Sequence, residues 1–465
     1  MIDILLKNGE YVITMDSKRR IIRNGGVAID NGAILEVGKS DDLIKQYNAK
    51  TVIDAKDKVI MPGIIDGHAH PEQYLSKGLV DDVDAPTWVQ RMFPFEAELR
   101  PQDTYISGLG AFVEMLRHGT TCYNNPGVTG TLEHVDMMAK AMKETGMRGI
   151  LSRYSYDMEL LPNWRVPEKF LIPTEEQIAM NEQVVKKWNG AENDLIRAWF
   201  GWRLPYTTSD KLVTESKRLA DQYGVGIHTH ANVTKGEEAT IVKKWGMRTL
   251  ARYEELGAMG PNMYMAHMGW TSWEELDMLQ KYDVKVSFNP TSSMQGAYGC
   301  IAHGKFPEMV ERGIVVTLGD DSVSCGRTVD MFMVMYVAAA ALKDARLDPL
   351  VMGPYKALEM ATIDCAKGLL WEDKIGSLEI GKRADVITLD MNNPEWWPMW
   401  DVVAHLVYSA DGSCVDNVII DGRMIMRDKR ILTVNEEEVL AQVKEGAATM
   451  KERLNIDIPS KWPVM

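Results

Sequence analysis

Two histidines one residue apart close an apolar stretch in the first part of the chain. The stretch reads Val-Ile-Met-Pro-Gly-Ile-Ile-Asp-Gly-His-Ala-His over residues 59–70. Side chains alternate between faces along an extended strand, so His68 and His70 point to the same side. Two imidazoles side by side form half of a site for a divalent metal ion. Such a pair alone is more often a surface feature beside a turn, and the rest of the chain decides between the two interpretations.

Further ligand-type residues follow three other strand-like segments: His228 and His230 on one, His267 on the next, Asp320 and Asp321 after the last. Helix-like segments separate most of the strand-like ones, an alternation that predicts parallel β/α architecture. We count eight candidate strands, at residues 59–66, 120–123, 149–152, 197–201, 226–230, 263–267, 284–288 and 314–318. Eight such units predict an α/β fold of the (β/α)8 TIM-like barrel type, whose chemistry lies at the carboxyl ends of the strands. The ligand-type residues are therefore expected on one rim.

Both ends of the chain have a different pattern of apolar and polar residues. Residues 4–55 and 384–422 contain short runs of alternating apolar and polar residues with turn signals such as Asn-Gly between them, a pattern typical of antiparallel sheet. We therefore predict a small β-sandwich domain built from both termini. The predicted division assigns residues 1–58 and 373–430 to the sandwich, 59–372 to the barrel and 431–465 to a helical tail.

Composition and charge exclude several classes of protein. The 465 residues are 45% hydrophobic and 25% charged, as in ordinary globular proteins. A formal net charge of −14 argues against a nucleic-acid surface, and no apolar run reaches the ~18 residues needed to span a membrane. The five scattered cysteines fit reduced thiols. Since the N-terminus lacks a signal-peptide pattern, we expect a cytoplasmic protein that acts on a small molecule and binds neither nucleic acid nor membrane.

The motifs at the predicted strand ends resemble those of the amidohydrolase superfamily, in particular its atrazine and s-triazine hydrolase branch. The matching pieces include Met-Pro-Gly-Ile-Ile-Asp-Gly-His-Ala-His at 61–70, Ile-His-Thr-His at 227–230, Met-Ala-His at 265–267 and Leu-Gly-Asp-Asp at 318–321. The resemblance covers nearly the whole chain. It implies a (β/α)8 barrel carrying a β-sandwich, and a homo-oligomer, either a dimer or a tetramer.

The resemblance also implies roles for individual residues. The implied metal ligands are His68, His70, His230 and Asp321. His267 matches the histidine that contacts the hydrolytic water or the substrate, and His228, on the same face as His230, stays open as an alternative ligand. Relatives with two metals carry a lysine on strand four, which is absent from residues 198–203 here. We therefore expect one divalent ion, cobalt or zinc before manganese or iron, with Asp321 transferring protons beside it.

One departure from the family pattern determines the predicted substrate. Family deaminases carry a glutamate three residues after the strand-five histidine, where it protonates a ring nitrogen, and here Val233 stands at that position. Glu237 and Glu238 could fold back toward the site, but they fall in a predicted helix. Without that acid, deamination of a heterocycle is difficult, whereas a carbamoyl group offers a carbonyl oxygen that a metal activates directly.

The residues predicted to line the substrate pocket are largely apolar: Tyr74, Trp88, Phe93, Trp202, Arg203, His228 and Phe288. We therefore predict cleavage of a carbamoyl C–N or C–S bond in a small apolar substrate, as in the hydrolases of phenylurea herbicides and of the thiocarbamate molinate. Two alternatives stay open. One is an aminohydrolase or dechlorinase of an s-triazine, purine or pyrimidine, and the other is a non-catalytic barrel that serves as a scaffold.

Overall fold

Strands and helices alternate through the middle of the chain, whereas the strands near its two ends pair in a separate sheet. The computed structural model describes residues 1–159, 166–458 and 460–463. The strands are β1 Ile2–Ile13, β2 Ile21–Asp30, β3 Ala33–Lys39, β4 Ala49–Asp54, β5 Lys58–Pro62, β6 Ile64–Asp66, β7 Thr120–Asn124, β8 Arg148–Leu151, β9 Tyr154–Ser155, β10 Ile196–Ala198, β11 Phe200–Trp202, β12 Ile227–Ala231, β13 Met263–His267, β14 Lys285–Phe288, β15 Val316–Leu318, β16 Val386–Asp390, β17 Val415–Ile420, β18 Arg423–Arg427 and β19 Arg430–Ile431.

The helices fall mainly between the strands of the middle region. They are α1 Ser40–Gln46, α2 Ala85–Glu98, α3 Pro101–Arg117, α4 Leu132–Thr145, α5 Thr174–Trp188, α6 Ala191–Asp194, α7 Asp210–Tyr223, α8 Lys235–Trp245, α9 Thr249–Glu255, α10 Trp273–Lys281, α11 Pro290–Gln295, α12 Cys300–His303, α13 Phe306–Glu311, α14 Met331–Arg346, α15 Pro354–Met360, α16 Ile363–Gly368, α17 Val402–Tyr408 and α18 Glu436–Leu454. Within the described ranges, every helix is too short or too polar to cross a membrane.

Strands from both ends of the chain share one nine-stranded sheet. Its order is β19-β18-β17-β16-β5-β1-β2-β3, and β4 pairs with β1 beside this path. The two ends meet at β5, which is parallel to β1 and antiparallel to β16. A buried apolar cluster with members from both ends, including Leu6, Val27 and Val386, packs in this part of the molecule. The domain boundaries at residues 58, 372 and 430 stay a prediction.

The stretch predicted as a single strand over residues 59–66 is two strands. β5 belongs to the nine-stranded sheet, while β6 pairs in parallel with β7. The break lies at Gly63, where a Cβ would stand 2.0 Å from Thr121 Oγ1, so a residue with a side chain does not fit. This break turns the chain from one sheet into the other and places His68 and His70 just beyond the end of β6.

The middle strands form two parallel sheets, ordered β10-β8-β7-β6 and β15-β14-β13-β12-β11-β9. All eight predicted positions hold strands; the first and the fourth are each two strands, and β9 follows the third after a short gap. The first and last strands meet through backbone hydrogen bonds, from Gly67 N to Leu318 O at 2.8 Å and from Asp321 N to His68 O at 2.8 Å. The structure confirms the α/β class with an additional mixed sheet, and the closed eight-stranded barrel stays a prediction.

The predicted helical tail contains α18, which packs on its own chain. Arg453 Nη2 lies 2.6 Å from Asp103 Oδ2 of α3, and Met450 is buried in a cluster with Met92 and Phe95 of α2. The buried face of the helix is therefore covered within the same molecule. Self-association of the chain stays a prediction.

Candidate active site

The predicted ligand residues lie together at the carboxyl edge of the parallel strands. Asp321 Oδ1 is 3.3 Å from His70 Nε2 and 3.6 Å from His68 Nε2. His230 Nε2 is 3.4 Å from His70 Nε2. These side chains are nearly fully buried. Residues from the ends of β6, β12 and β15 thus present one donor atom each toward a common point.

Hydrogen bonds on the far side of each ring fix its orientation. The Nδ1–H of His230 donates to the backbone oxygen of Arg203 at 2.7 Å. His68 Nδ1 lies 2.9 Å from His228 Nε2, and His70 Nδ1 lies 3.3 Å from Glu72 Oε1. Such contacts set the tautomer and direct the other ring nitrogen at a metal. For His230, whose partner only accepts, the Nε2 lone pair is free to coordinate.

Burial and neighbouring charges keep His68 and His230 neutral and Asp321 ionised, as metal ligands need, but they hold a proton on His70. Burial lowers the pKa of His68 to about 3 and the pKa of His230 well below its usual range. Burial alone would raise the pKa of Asp321, but His68 and His70 outweigh it and hold that pKa well below normal. The pKa of His70 rises to about 9 despite burial, because Asp321 and Glu72 accept its hydrogen bonds. An ion entering here would displace a proton from His70.

The site fits one divalent metal ion. The donor atoms of His68, His70 and Asp321 all lie within 4.8 Å of one another, and so do those of His68, His230 and His267. His68 Nε2 is buried with no hydrogen-bond partner among the described residues. An unpaired buried nitrogen is costly unless something occupies its lone pair. Three imidazoles with one carboxylate are a donor set suited to zinc or cobalt.

His267 and His228 occupy different positions relative to this cluster. His267 lies at the end of β13, with Nε2 3.8 Å from Asp321 Oδ2, and it faces the adjoining cavity. His228 is fully buried two residues before His230 and contacts the outer nitrogen of His68. His228 therefore lies behind His68, at the ring nitrogen that faces away from Asp321.

A cavity of about 390 Å³ opens beside the cluster, a volume typical of small-molecule sites. His70, His230, His267 and Asp321 form its floor. Its walls come from helices and loops: Gln73, Trp88, Arg203, Leu204, Tyr206, Val233, Thr234, Gly236, Glu237, Thr240, Tyr298 and Cys325. The lining combines aromatic and aliphatic surface with a few charged groups, which suits a flat, partly polar ligand.

Two of the residues predicted to line the pocket, Trp88 and Arg203, do so. The structure places the others outside the lining of this cavity. Tyr74 donates a hydrogen bond to Glu114, Phe93 packs in an apolar cluster, Trp202 packs on Tyr253, His228 lies behind His68, and Phe288 stacks on Phe306 with ring centroids 3.9 Å apart. Trp202 and Phe288 are the last residues of β11 and β14 and pack against α9 and α13, whereas Arg203, just after β11, lines the cavity.

Glu237 lines the cavity from within α8, the predicted helix that had argued against its folding back toward the site. Thr234 caps α8 by accepting the Glu237 N–H at 3.3 Å, and Glu237 Oε2 accepts the Val233 N–H at 2.9 Å. The sequence Thr234-Lys-Gly-Glu237 matches the Ser/Thr-x-x-Glu pattern of a capping box, in which the glutamate reaches back toward the residues before the helix. That pattern was the available signal, because it turns the side chain toward the end of β12.

Comparison with known proteins gives full-length relatives. The chain is 34% identical over 456 residues to the 5'-deoxyadenosine deaminase of Methanosarcina acetivorans, covering 98% of this chain and 100% of the relative. An adenosine deaminase from Xanthomonas campestris, solved with bound zinc, has a TM-score of 0.87 at 25% identity and covers 97% and 99% of the two chains. Atrazine chlorohydrolase TrzN from Arthrobacter aurescens TC1, complexed with zinc, has a TM-score of 0.87 at 19% identity over 96% and 100%, a likeness of fold alone.

These relatives correct the predicted reaction. The prediction of carbamoyl hydrolysis, with likeness to phenylurea and molinate hydrolases, is wrong. Relatives 31–34% identical over 96–98% of the chain are 5'-deoxyadenosine or 5-methylthioadenosine/S-adenosylhomocysteine deaminases. The prediction took the absence of an acid at Val233 as decisive and set Glu237 aside because of its predicted helix, yet Glu237 lines the cavity.

The family model for amidohydrolases matches residues 59–425, well over half of the chain. This match spans every candidate ligand and each parallel strand that positions one. The metal-dependent hydrolase predicted from the strand-end histidines is thereby confirmed, together with its single divalent ion. The chain belongs to the amidohydrolase family.

Proposed function

We propose that this protein is a hydrolytic deaminase of adenine nucleosides that lack a free 5'-hydroxyl group, such as 5'-deoxyadenosine. The observation that carries the proposal is the identity of 31–34% over nearly the whole chain to deaminases of that substrate class. The residues proposed to hold the ion are His68, His70, His230 and Asp321, on a closed (β/α)8 barrel.

The cavity supports a substrate with a flat ring and an apolar end. Trp88, Leu204 and Tyr206 provide apolar lining, and Arg203 and Glu237 provide polar groups. A purine ring bearing an exocyclic amine has both an apolar ring face and polar groups at its edge. The volume of about 390 Å³ lies within the range of pockets for small ligands.

The floor of the cavity carries the groups for attack at an amine-bearing carbon. A bound divalent ion lowers the pKa of its water toward ~7, which supplies the nucleophile at neutral pH. Asp321 accepts the proton that this water loses and delivers it to the departing amino group. His267 Nε2, 3.8 Å from Asp321 Oδ2, is placed to hold the water oxygen or the developing oxygen of the product. Ammonia leaves and a carbonyl group remains on the ring.

The test is a substrate panel with purified, metal-loaded enzyme. It contains 5'-deoxyadenosine, 5-methylthioadenosine, S-adenosylhomocysteine and adenosine, together with a phenylurea and a thiocarbamate for comparison. We expect ammonia and the matching 6-oxopurine nucleoside from the first three, and slower reaction with adenosine. The Asp321→Asn variant and chelated enzyme are the controls in which turnover should be strongly reduced. Faster turnover of the urea or thiocarbamate than of every nucleoside would overturn the proposal.

A further inference from the structure

We propose that Glu237 is the acid that protonates the substrate's ring nitrogen, in place of the strand-end glutamate whose position Val233 occupies. This inference rests on the proposed function, because the ring nitrogen belongs to the proposed substrate. It adds a catalytic residue that reaches the cavity from a helix, seven residues after His230 in the chain.

The position of the Glu237 carboxyl group carries the proposal. The residue is 7% exposed and lines the same cavity as His230, His267 and Asp321. One carboxyl oxygen, Oε2, is held by the Val233 N–H at 2.9 Å. The other oxygen, Oε1, is buried and has no hydrogen-bond partner among the described residues. A fixed carboxyl group with one unpaired oxygen at a cavity is arranged to exchange a proton with a ligand.

The surroundings of Glu237 keep its carboxyl group protonated near neutral pH. Burial, and secondly the neighbouring Glu238, raise its pKa to about 8, while the Val233 N–H, Thr234 and Arg248 oppose this rise. The charge of Glu237 in turn raises the pKa values of three nearby groups, Tyr206, Tyr253 and Cys300. A carboxylic acid with such a pKa can donate a proton to a ring nitrogen at neutral pH, which an ordinary glutamate cannot do efficiently.

The proton transfers balance over one turnover. As the water oxygen forms its bond to ring carbon C6, Glu237 gives its proton to ring nitrogen N1, and Asp321 accepts the proton that the water loses. Asp321 then passes that proton to the amino nitrogen, the C6–N bond breaks, and ammonia leaves. The hydroxyl proton on C6 returns to Glu237 as the carbonyl forms, so both carboxyl groups end in their starting states.

The experiment compares kcat for 5'-deoxyadenosine as a function of pH in the wild type, E237Q, E237D and E238Q. We expect E237Q to lose about 10²–10⁴-fold in kcat, the usual contribution of general acid–base catalysis. Because only the protonated acid donates, wild-type kcat should fall as the pH rises above about 8. E237Q should lack this fall, whereas E237D, which keeps a carboxylic acid, should retain it at a lower kcat.

E238Q is the matched control, because Glu238 is the adjacent buried glutamate and hydrogen-bonds to Thr249 outside the cavity. It should keep most of the wild-type kcat, with the alkaline fall moved to lower pH because a neighbouring negative charge is gone. Metal content and Tm are measured for each variant.

If E237Q is unstable, the pH profiles of the wild type and E237D decide the question. Absence of the alkaline fall in kcat from these profiles overturns the proposal. If the wild type deaminates nucleosides and metal-loaded E237Q has the same kcat, only the role of Glu237 is overturned. If the wild type deaminates no nucleoside, the proposed function itself is overturned.

Discussion

The floor and the walls of the cavity are built in different ways. The floor residues, His70, His230, His267 and Asp321, stand at or just beyond the ends of parallel strands. The walls take Trp88 from α2, Gly236, Glu237 and Thr240 from α8, and the other residues from the turns and loops between strands and helices. The floor therefore depends on strand register, whereas the walls depend on the path of the chain after each strand has ended.

This difference separates the proposed metal donors, which lie in the floor, from the other residues around the substrate, which lie in the walls. Strand ends meet at one edge of the parallel sheets, so metal donors are positioned by backbone pairing and change little when loops change. A wall position can be filled by a residue from another element of the fold. Glu237, for example, lines the cavity from α8, whereas the position just after β12 holds Val233. A missing wall residue in the sequence therefore says little about the reaction until the neighbouring helices are considered.

The largest effect is expected from a change in the floor. Asp321→Asn should lower kcat by about 10²–10⁴-fold, because the amide cannot accept and return a proton. Ser292 Oγ donates to Asp321 Oδ2 at 2.5 Å, a bond that an asparagine oxygen can still accept, so the fold should be retained. Steady-state kinetics with elemental analysis of the purified variant measure both effects. A variant with one bound ion and wild-type kcat would show that Asp321 does not transfer the proton.

The structure brings together the residues predicted for the floor and places most of those predicted for the walls elsewhere, for a physical reason. His68, His70, His230, His267 and Asp321 could be placed because each follows a recognisable apolar strand, and the structure brings them together. Large residues near strand ends were assigned to the pocket without regard to alternation. Trp202 instead packs on Tyr253 and Phe288 on Phe306, while Arg203, the residue after Trp202, lines the cavity. The path of α2 and the loops after β11 and β15 depends on tertiary packing that no local pattern encodes.

A smaller effect, on stability and not on catalysis, is expected where a predicted wall residue is in fact core. Trp202 is fully buried with its ring 5.6 Å from that of Tyr253. Trp202→Ala should lower the free energy of unfolding by about 3–5 kcal/mol through lost burial and the cavity left behind. KM measured well below the unfolding transition should stay near that of the wild type. Urea denaturation measures the free energy of unfolding. A large rise in KM with unchanged stability would show that Trp202 contacts the substrate after all.

The smallest effect is expected from Trp88, which lies in the cavity wall on the first turn of α2. Its side chain is only partly buried by the protein, so the substrate should cover part of what remains exposed. Trp88→Ala should remove about 1.5 kcal/mol of apolar contact with the substrate, which raises KM about tenfold while kcat changes little. Trp273, a half-exposed tryptophan of α10 that does not line the cavity, is the matched control. Trp273→Ala should leave KM unchanged. Equal KM values for both variants and the wild type would mean that the substrate does not touch this wall and that its binding energy comes from the floor alone.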